Sequence, residues 1–244
     1  AHAVVLDRRD VFRDWRETAA ELRDDPHITF TLPFVYSEVI VQSPRGVQGV
    51  VFKGIDPRAT RDLPLARYIG DEAEDVLEEL RARSATTAPP GILIGTELQE
   101  VLHVDPGDQI SIISPYAGRQ GQARTRAFEV LETFHSGMFE FDSRMVFVAL
   151  REAQRFFKLY DTVTGLEVWS DDPLSSYETI GEAVRALDPD DPFAYEVKDW
   201  SRTNAGIFGA VRSQKALISI FLFIIVVVAA FNILATLILL VLEK

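Results

Sequence analysis

The side chains in this chain that could do chemistry are mostly charges, and one segment concentrates them. Pro115-Tyr116-Ala117-Gly118-Arg119-Gln120-Gly121-Gln122-Ala123-Arg124-Thr125-Arg126 carries three arginines and no acid, in a chain of net charge −12. Guanidinium groups gathered on one loop of an acidic protein suit the steering of an acidic or dipolar partner. The plain alternative is a solvated hairpin connection. The four histidines, His2, His27, His103 and His135, lack the i, i+4 spacing of a metal pair. Asp171-Asp172-Pro173 and Asp188-Pro189-Asp190-Asp191-Pro192 lack the alternating ligands of a calcium loop and read as turns. With zero cysteines there is neither a disulfide nor a cysteine-ligated zinc. No Gly-x-x-x-x-Gly-Lys-[Ser/Thr] stretch exists to cradle a nucleotide, and no Gly-x-Ser-x-Gly elbow or His-Glu-x-x-His helix is present. No helix face clusters Lys and Arg, so nucleic acid is not expected as a partner.

The elements that must position these groups begin at the far end. Ala216–Leu242 holds 27 residues without an ionisable side chain, broken only by Ser219, Asn232 and Thr236. As a helix it reaches roughly 40 Å at about 1.5 Å per residue, beyond the ~30 Å hydrocarbon core of a bilayer, so it reads as a transmembrane helix. Ala229, Asn232 and Thr236 fall at i, i+3 and i+7 on one face. Such a stripe predicts a helix–helix contact, because an amide facing lipid would be unsatisfied. Residues 200–215 are amphipathic and run unbroken into the span as a helical stalk. Arg202, Arg212 and Lys215 flank its N-terminal side, which a local positive-inside count would place in the cytoplasm. That rule weakens for large translocated domains.

Residues 1–215 are enough for one large domain or two small ones. Ala3–Leu6 reads as a strand, and Asp7 or Asp10 as the cap of a helix whose Val11, Trp15, Ala19 and Leu22 share a face. Ile28–Ile55 is strand-like around the turn Ser43-Pro44-Arg45-Gly46. A helix is expected over Asp71–Arg83, with Asp71 and Glu74 as a capping pair. A strand at Gly91–Ile94 precedes a helix from Thr96, the expected cap, to Leu102; further strands are Gln109–Ser114, Ala127–Phe134 and Arg144–Ala149. Then come a helix at Glu152–Tyr160, a strand at Leu166–Ser170, a helix capped by a Ser175/Glu178 box, and a strand at Ala194–Lys198. The order β-α-β-β, an insertion, then β-α-β predicts a split α+β domain. Ends at Ala1 and immediately after the span read as those of a fragment.

Several motifs combine: Gly54-Ile55-Asp56-Pro57, then Leu63-Pro64-Leu65-Ala66-Arg67-Tyr68-Ile69, then Pro90-Gly91-Ile92-Leu93-Ile94-Gly95 with Thr96-Glu97-Leu98. Asp105-Pro106-Gly107-Asp108-Gln109-Ile110 follows, then Lys198-Asp199-Trp200, and Ala229-Ala230-Phe231-Asn232-Ile233 inside the span. Together they resemble the LolC/LolE family of lipoprotein-releasing ABC transporter permeases, within the MacB/FtsX group, over essentially the whole chain. The resemblance implies a four-helix permease with a periplasmic porter-like domain between its first two helices, interrupted by a strand-rich (Sabre-like) subdomain. It assigns residues 1–57 to the porter-like first half, 58–157 to the insert, 158–199 to the second half, 200–215 to the stalk and 216–242 to the span.

It further implies a non-enzymatic subunit of the cell inner membrane, with residues 1–215 mostly in the periplasm. A separate cytoplasmic ATPase would hold ATP and Mg, so this chain needs no cofactor. A second permease subunit (a paralogue or an identical copy), a periplasmic lipoprotein carrier, lipoprotein substrates and membrane lipid would be the partners. By resemblance the loop with Pro115, Tyr116, Gly118, Arg119, Gln120, Arg124 and Arg126 is a hook that captures the carrier. Arg126 matches a basic pad position, and Ser111 stands where a second basic residue would be expected. Ile207, Phe208, Val211, Leu217 and Phe221 pack against absent helices or line the cavity for acyl chains. The alternatives are a MacB-like efflux or FtsX-like permease, and, in another class, a single-span receptor or adhesion domain.

Overall fold

The computed structural model describes residues 1–8, 12–61, 63–84, 88–115, 123–172, 175–188, 191, 193–199 and 205–243, with side chains left out for 205–212 and 239–241. Asp10, Val11 and part of the 84–90 linker therefore lie outside the described residues. The chain divides into two units, Ala1–Lys198 and Asp199–Lys244.

Strand β1 (Ala3–Asp7) leads to helix α1 (Trp15–Asp24), followed by strands β2 (Ile28–Gln42) and β3 (Val47–Ile55). Helices α2 (Pro64–Ile69) and α3 (Ala73–Arg83) precede β4 (Gly91–Gly95), α4 (Thr96–Leu102), β5 (Gln109–Ser114) and β6 (Arg124–Phe134). Then come α5 (Phe139–Asp142), β7 (Met145–Ala149), α6 (Leu150–Phe157), β8 (Gly165–Ser170), α7 (Ser176–Leu187) and β9 (Tyr195–Asp199). A single helix, α8, covers Ala205–Leu242.

Strand β2 has 15 residues, and at about 3.3 Å each it is roughly 50 Å long. Its first half, Ile28 to Phe34, pairs antiparallel with β8, which pairs onward with β1 and then β9. Its second half, Val35 to Gln42, pairs with β3 in a hairpin, and Ile40 to Gln42 pair with β5 on the other side. From β3 the neighbours run through β7, β4, β6 and β5 back to β2, so six strands close into a ring. Closure leaves these strands without free edges. Pairings β3–β7 and β4–β6 are parallel, and the others in the ring are antiparallel.

Alternation along the strands sorts two cores. Val39, Val50, Phe52, Ile92, Ile94, Ile110, Ile112, Phe128, Val130, Val146 and Val148 join one cluster. Leu93, Phe147 and Ala149, the odd positions between them, join a second with Leu77 and Leu80 of α3. A register shift at Ile92/Leu93 against β6 moves Phe134 onto that second face, as a bulge inverts the strand's parity. Phe156 of α6 packs on Phe52 at 5.7 Å and on Phe128 at 6.1 Å between ring centroids, so α6 seals the first core. Each fully buried phenylalanine contributes about 1.5–3 kcal/mol.

Three capping expectations need correction. Thr96 is the first helical residue, behind Gly95, and its hydroxyl meets His135 Nδ1 at 3.1 Å instead of a backbone N–H. Helix α3 starts at Ala73 after Glu72 with no side-chain cap, and Glu74 is paired with Arg61 at 2.9 Å. Ser175 does precede α7, but its hydroxyl donates to Asp172 Oδ2 at 2.9 Å. In each case a side chain outside the helix competes for the capping group. Asp7 belongs to β1, and Asp14 stands before α1.

The motif glycines are places of close approach. A Cβ on Gly54 would lie 2.5 Å from that of Ala153 on α6. A Cβ on Gly95 would overlap the backbone carbonyl of Asp142. Asp142 is itself 1% exposed and accepts hydrogen bonds from Ser136 N, Ser136 Oγ and Gly137 N, so that backbone cannot yield cheaply. Gly95→Ala is expected to destabilise the chain by about 2–4 kcal/mol. Gly49→Ala, where nothing lies within 4 Å, should stay within about 0.5 kcal/mol. Denaturant unfolding of the two variants side by side is the check.

Candidate functional site

Strands β5 and β6 pair from Gln109↔Glu129 to Ser114↔Arg124, which fixes the foot of the arginine-bearing loop. Residues 116–122 lie outside the described residues, and with them Tyr116, Gly118, Arg119 and Gln120. Pro115, half-buried at the end of β5, borders a shallow cleft of about 410 Å³ with Ile40, Gly49 and Arg144.

Arg124 and Arg126 alternate with Thr125 along β6 and so share the face of Phe128 and Val130, both fully buried. Helix α6 lies over that face. Arg124 Nη1 donates to the Phe156 carbonyl at 2.5 Å, one of the carbonyls that the end of a helix leaves without an intrahelical partner. Arg126 Nη1 stands 2.8 Å from Glu152 Oε2, and its guanidinium lies 5.7 Å from the Phe128 ring centroid. Glu152 is only 2% exposed. Its Oε1 accepts from Arg155 Nη1 at 2.6 Å, and the same nitrogen donates to the Ser84 carbonyl at 2.6 Å. Its Oε2 has no hydrogen bond of good geometry despite the nearby Arg126. A carboxylate taken out of water costs several kcal/mol unless paired, and here two guanidiniums bracket it.

Ser111 pairs with Ala127, so it faces the opposite side of the hairpin from Arg126. A basic residue at that position would not join Arg126 in one patch. On the Ser111 side Glu129 meets Arg83 at 2.7 Å, and that hydrogen bond holds the Glu129 carboxyl below the usual carboxylate range.

Two participants escaped the sequence reading, Glu152 and Arg155. The available signal was a carboxylate on the same short helix as the buried Leu150, Ala153 and Phe156, with an arginine three residues on. The acidic clusters behave as turns where they are described: Asp191 Nα donates to Asp188 Oδ1 at 3.1 Å and Phe193 N to Asp191 Oδ1 at 3.2 Å. Asp171 pairs with His27 at 2.9 Å, which raises the His27 pKa and lowers that of Asp171.

In the second unit, Ser213–Ile238 has a mean hydropathy of 3.0 and is long and apolar enough to cross a membrane. Ala229, Asn232 and Thr236 line one groove of about 390 Å³ with Ile233 and Leu237. Thr236 Oγ1 donates to the Asn232 carbonyl at 2.8 Å and Ser219 Oγ to the Lys215 carbonyl at 2.9 Å, so both hydroxyls are satisfied within the helix. Leu217 and Phe221 are 57% and 64% exposed. The side chains of Ile207, Phe208 and Val211 lie outside the described ones.

No protein-family profile matches the sequence. The chain is 27% identical over 251 residues to the lipoprotein-releasing system transmembrane protein LolC of Xylella fastidiosa (strain 9a5c), covering 100% of this chain and 57% of that protein. It is 25% identical over 248 residues to LolC of Neisseria meningitidis serogroup B, with the same coverage. To the corresponding LolE of Haemophilus influenzae it is 22% identical over 240 residues, covering 94% of this chain and 53% of that one. The chain thus spans just over half the length of these relatives. In fold it is similar to the periplasmic region of MacB from Actinobacillus actinomycetemcomitans, with a TM-score of 0.52 at 10% identity over 84% of this chain and 91% of that one. It is likewise similar to the extracellular domain of the noncanonic ABC-type transporter YknZ from Gram-positive bacteria, with a TM-score of 0.51 at 14% identity, covering 80% and 98%. The mixed α/β unit is similar in fold to MacB-like periplasmic domains, one long apolar helix follows it in the chain, and the resemblance to LolC/LolE-type permeases holds along the whole chain.

Proposed function

We propose that this chain is part of a permease subunit of an ABC transporter that extracts lipoproteins from the inner membrane and hands them to a periplasmic carrier. The observation that carries this reading is the likeness to LolC proteins over the whole chain, through the domain and the apolar helix together. Energy would come from a cytoplasmic ATPase subunit holding ATP and Mg, since this sequence has no phosphate-cradling loop. A second permease subunit, a paralogue or an identical copy, would complete the membrane complex, and residues 1–215 would lie mostly in the periplasm. The division into a porter-like first half, an insert over 58–157 and a porter-like second half belongs to the same proposal. The six-strand ring, with strands from both sides of residue 57, would be shared between them. Leu217 and Phe221, exposed on the apolar helix, would face neighbouring helices or acyl chains. A MacB-like exporter is the second reading, supported by the fold alone.

Within this proposal the arginine-bearing loop docks the carrier. Arg126 is 36% exposed at the hairpin foot and can add to the attraction of an acidic surface. Arg126→Gln should slow carrier association by about threefold or more and flatten its salt dependence. Arg13→Gln, an exposed site before α1, removes the same charge elsewhere and should leave both unchanged. Stopped-flow or surface-plasmon kinetics at several ionic strengths reads the difference; equal effects would reduce the loop to a plain connection.

The groove along Ala229, Asn232 and Thr236 would receive another helix. Asn232→Leu is expected to weaken the assembled complex by about 1 kcal/mol, the size of measured interhelical hydrogen bonds. Thermal dissociation of the complex in detergent measures it, and an unchanged midpoint would turn that face to lipid.

A further inference from the structure

We infer that the docking surface does not end at the hairpin but continues onto α6, where Arg155 joins Arg124 and Arg126 in one cluster that engages an acidic protein surface. This rests on the docking reading of the loop. The three guanidiniums come from two elements, β6 and α6: Arg126 and Arg155 share a single carboxylate, that of Glu152, and Arg124 reaches the Phe156 carbonyl at the end of the same helix. Among the described residues Glu152 is the one acid that any of the three pairs with. Three positive groups against one negative leave a local excess of positive charge in a chain of net −12.

Donor accounting separates this cluster from a purely structural staple. A guanidinium offers five N–H donors. Arg126 makes no hydrogen bond among the described residues, although its side chain is 36% exposed and within 2.8 Å of Glu152. Arg155 commits one nitrogen, Nη1, to both Glu152 and the Ser84 carbonyl, and its side chain is 54% exposed. Arg124 commits one nitrogen to the Phe156 carbonyl. Most of the donors are therefore unspent, while the carboxylate that Arg126 and Arg155 share is 2% exposed and sealed from a partner. A buried anchor with half-open arginines around it offers preformed, forked donors to carboxylates of a partner. A membrane surface is the less suited anion, because a wide anionic plane would feel the whole acidic chain, whereas a small protein engages the patch alone.

The test uses the full chain in detergent, captured on a sensor, with the soluble lipoprotein carrier of the same organism as the probe. Arg155→Gln should slow association by about 3–10-fold and flatten its salt dependence, while Arg155→Lys should stay nearer to the parent. A measurement on the unaltered protein stands beside it: bound carrier should shield Arg155 from phenylglyoxal, read by peptide mass spectrometry. Slowed association in Arg119→Gln and Arg126→Gln, with Arg155→Gln unaffected and Arg155 unshielded, would overturn the extension and leave the docking loop intact. Carrier binding that ignores all three variants would overturn the loop reading and this one together. Equal shielding of Arg155 by phosphatidylglycerol vesicles without carrier would make the cluster a headgroup site and overturn the protein partner.

Discussion

The structure depends on one strand serving two sheets. β2 runs from Ile28, paired with Ser170 of β8, to Gln42, paired with both Val47 of β3 and Ser111 of β5. Everything that closes the six-strand ring hangs from its second half, and the β8-β1-β9 sheet hangs from its first. The change of partners falls at Phe34 and Val35. Beside it Lys53 of β3 reaches Glu167 of β8 at 2.6 Å, each side chain 16% exposed. That ion pair ties the neighbours of β2 across the changeover, and Lys53 also lies 5.6 Å from the Phe34 ring centroid. A half-buried pair of this kind is costly to break from one side, so it fixes register as well as adding attraction.

The candidate site follows from that frame. β5 is anchored on β2 and β6 on β5, so the hairpin foot is set by the same strand. α6 follows β7 directly and presses Phe156 onto Phe52 and Phe128, which brings Glu152 and Arg155 beside Arg126. The charged cluster is thus positioned by an aromatic core rather than by its own ion pairs. Surface charges alone seldom hold such a geometry.

Local pattern made much of this legible. The β2–β3 hairpin shows its alternation and its Ser43-Pro44-Arg45-Gly46 turn, where Ser43 Oγ accepts from Gly46 N at 2.9 Å and donates to the Leu102 carbonyl at 2.6 Å. The long apolar helix was plain from length and composition. Hidden were α2 and α5, with 6 and 4 residues, too short to show a period and held by contacts such as Phe134–Phe141 at 5.8 Å. Ring closure was hidden too, because β3–β7 and β2–β5 pair residues far apart in sequence. At the site the arginines announced themselves by the absence of acids nearby. Glu152 did not, since a carboxylate on a short amphipathic helix reads as solvated until its packing is known.

The claim that unites these observations is lipoprotein release, and reconstitution addresses it most directly. The protein carrying this chain, purified with the ATPase and second permease subunit proposed for it, would be placed in proteoliposomes with a labelled lipoprotein and the soluble carrier outside. The account predicts that lipoprotein appears in a soluble complex with the carrier when ATP is hydrolysed, and stays in the membrane with a non-hydrolysable analogue. A complex that hydrolyses ATP in the presence of carrier yet leaves every lipoprotein in the bilayer would contradict it.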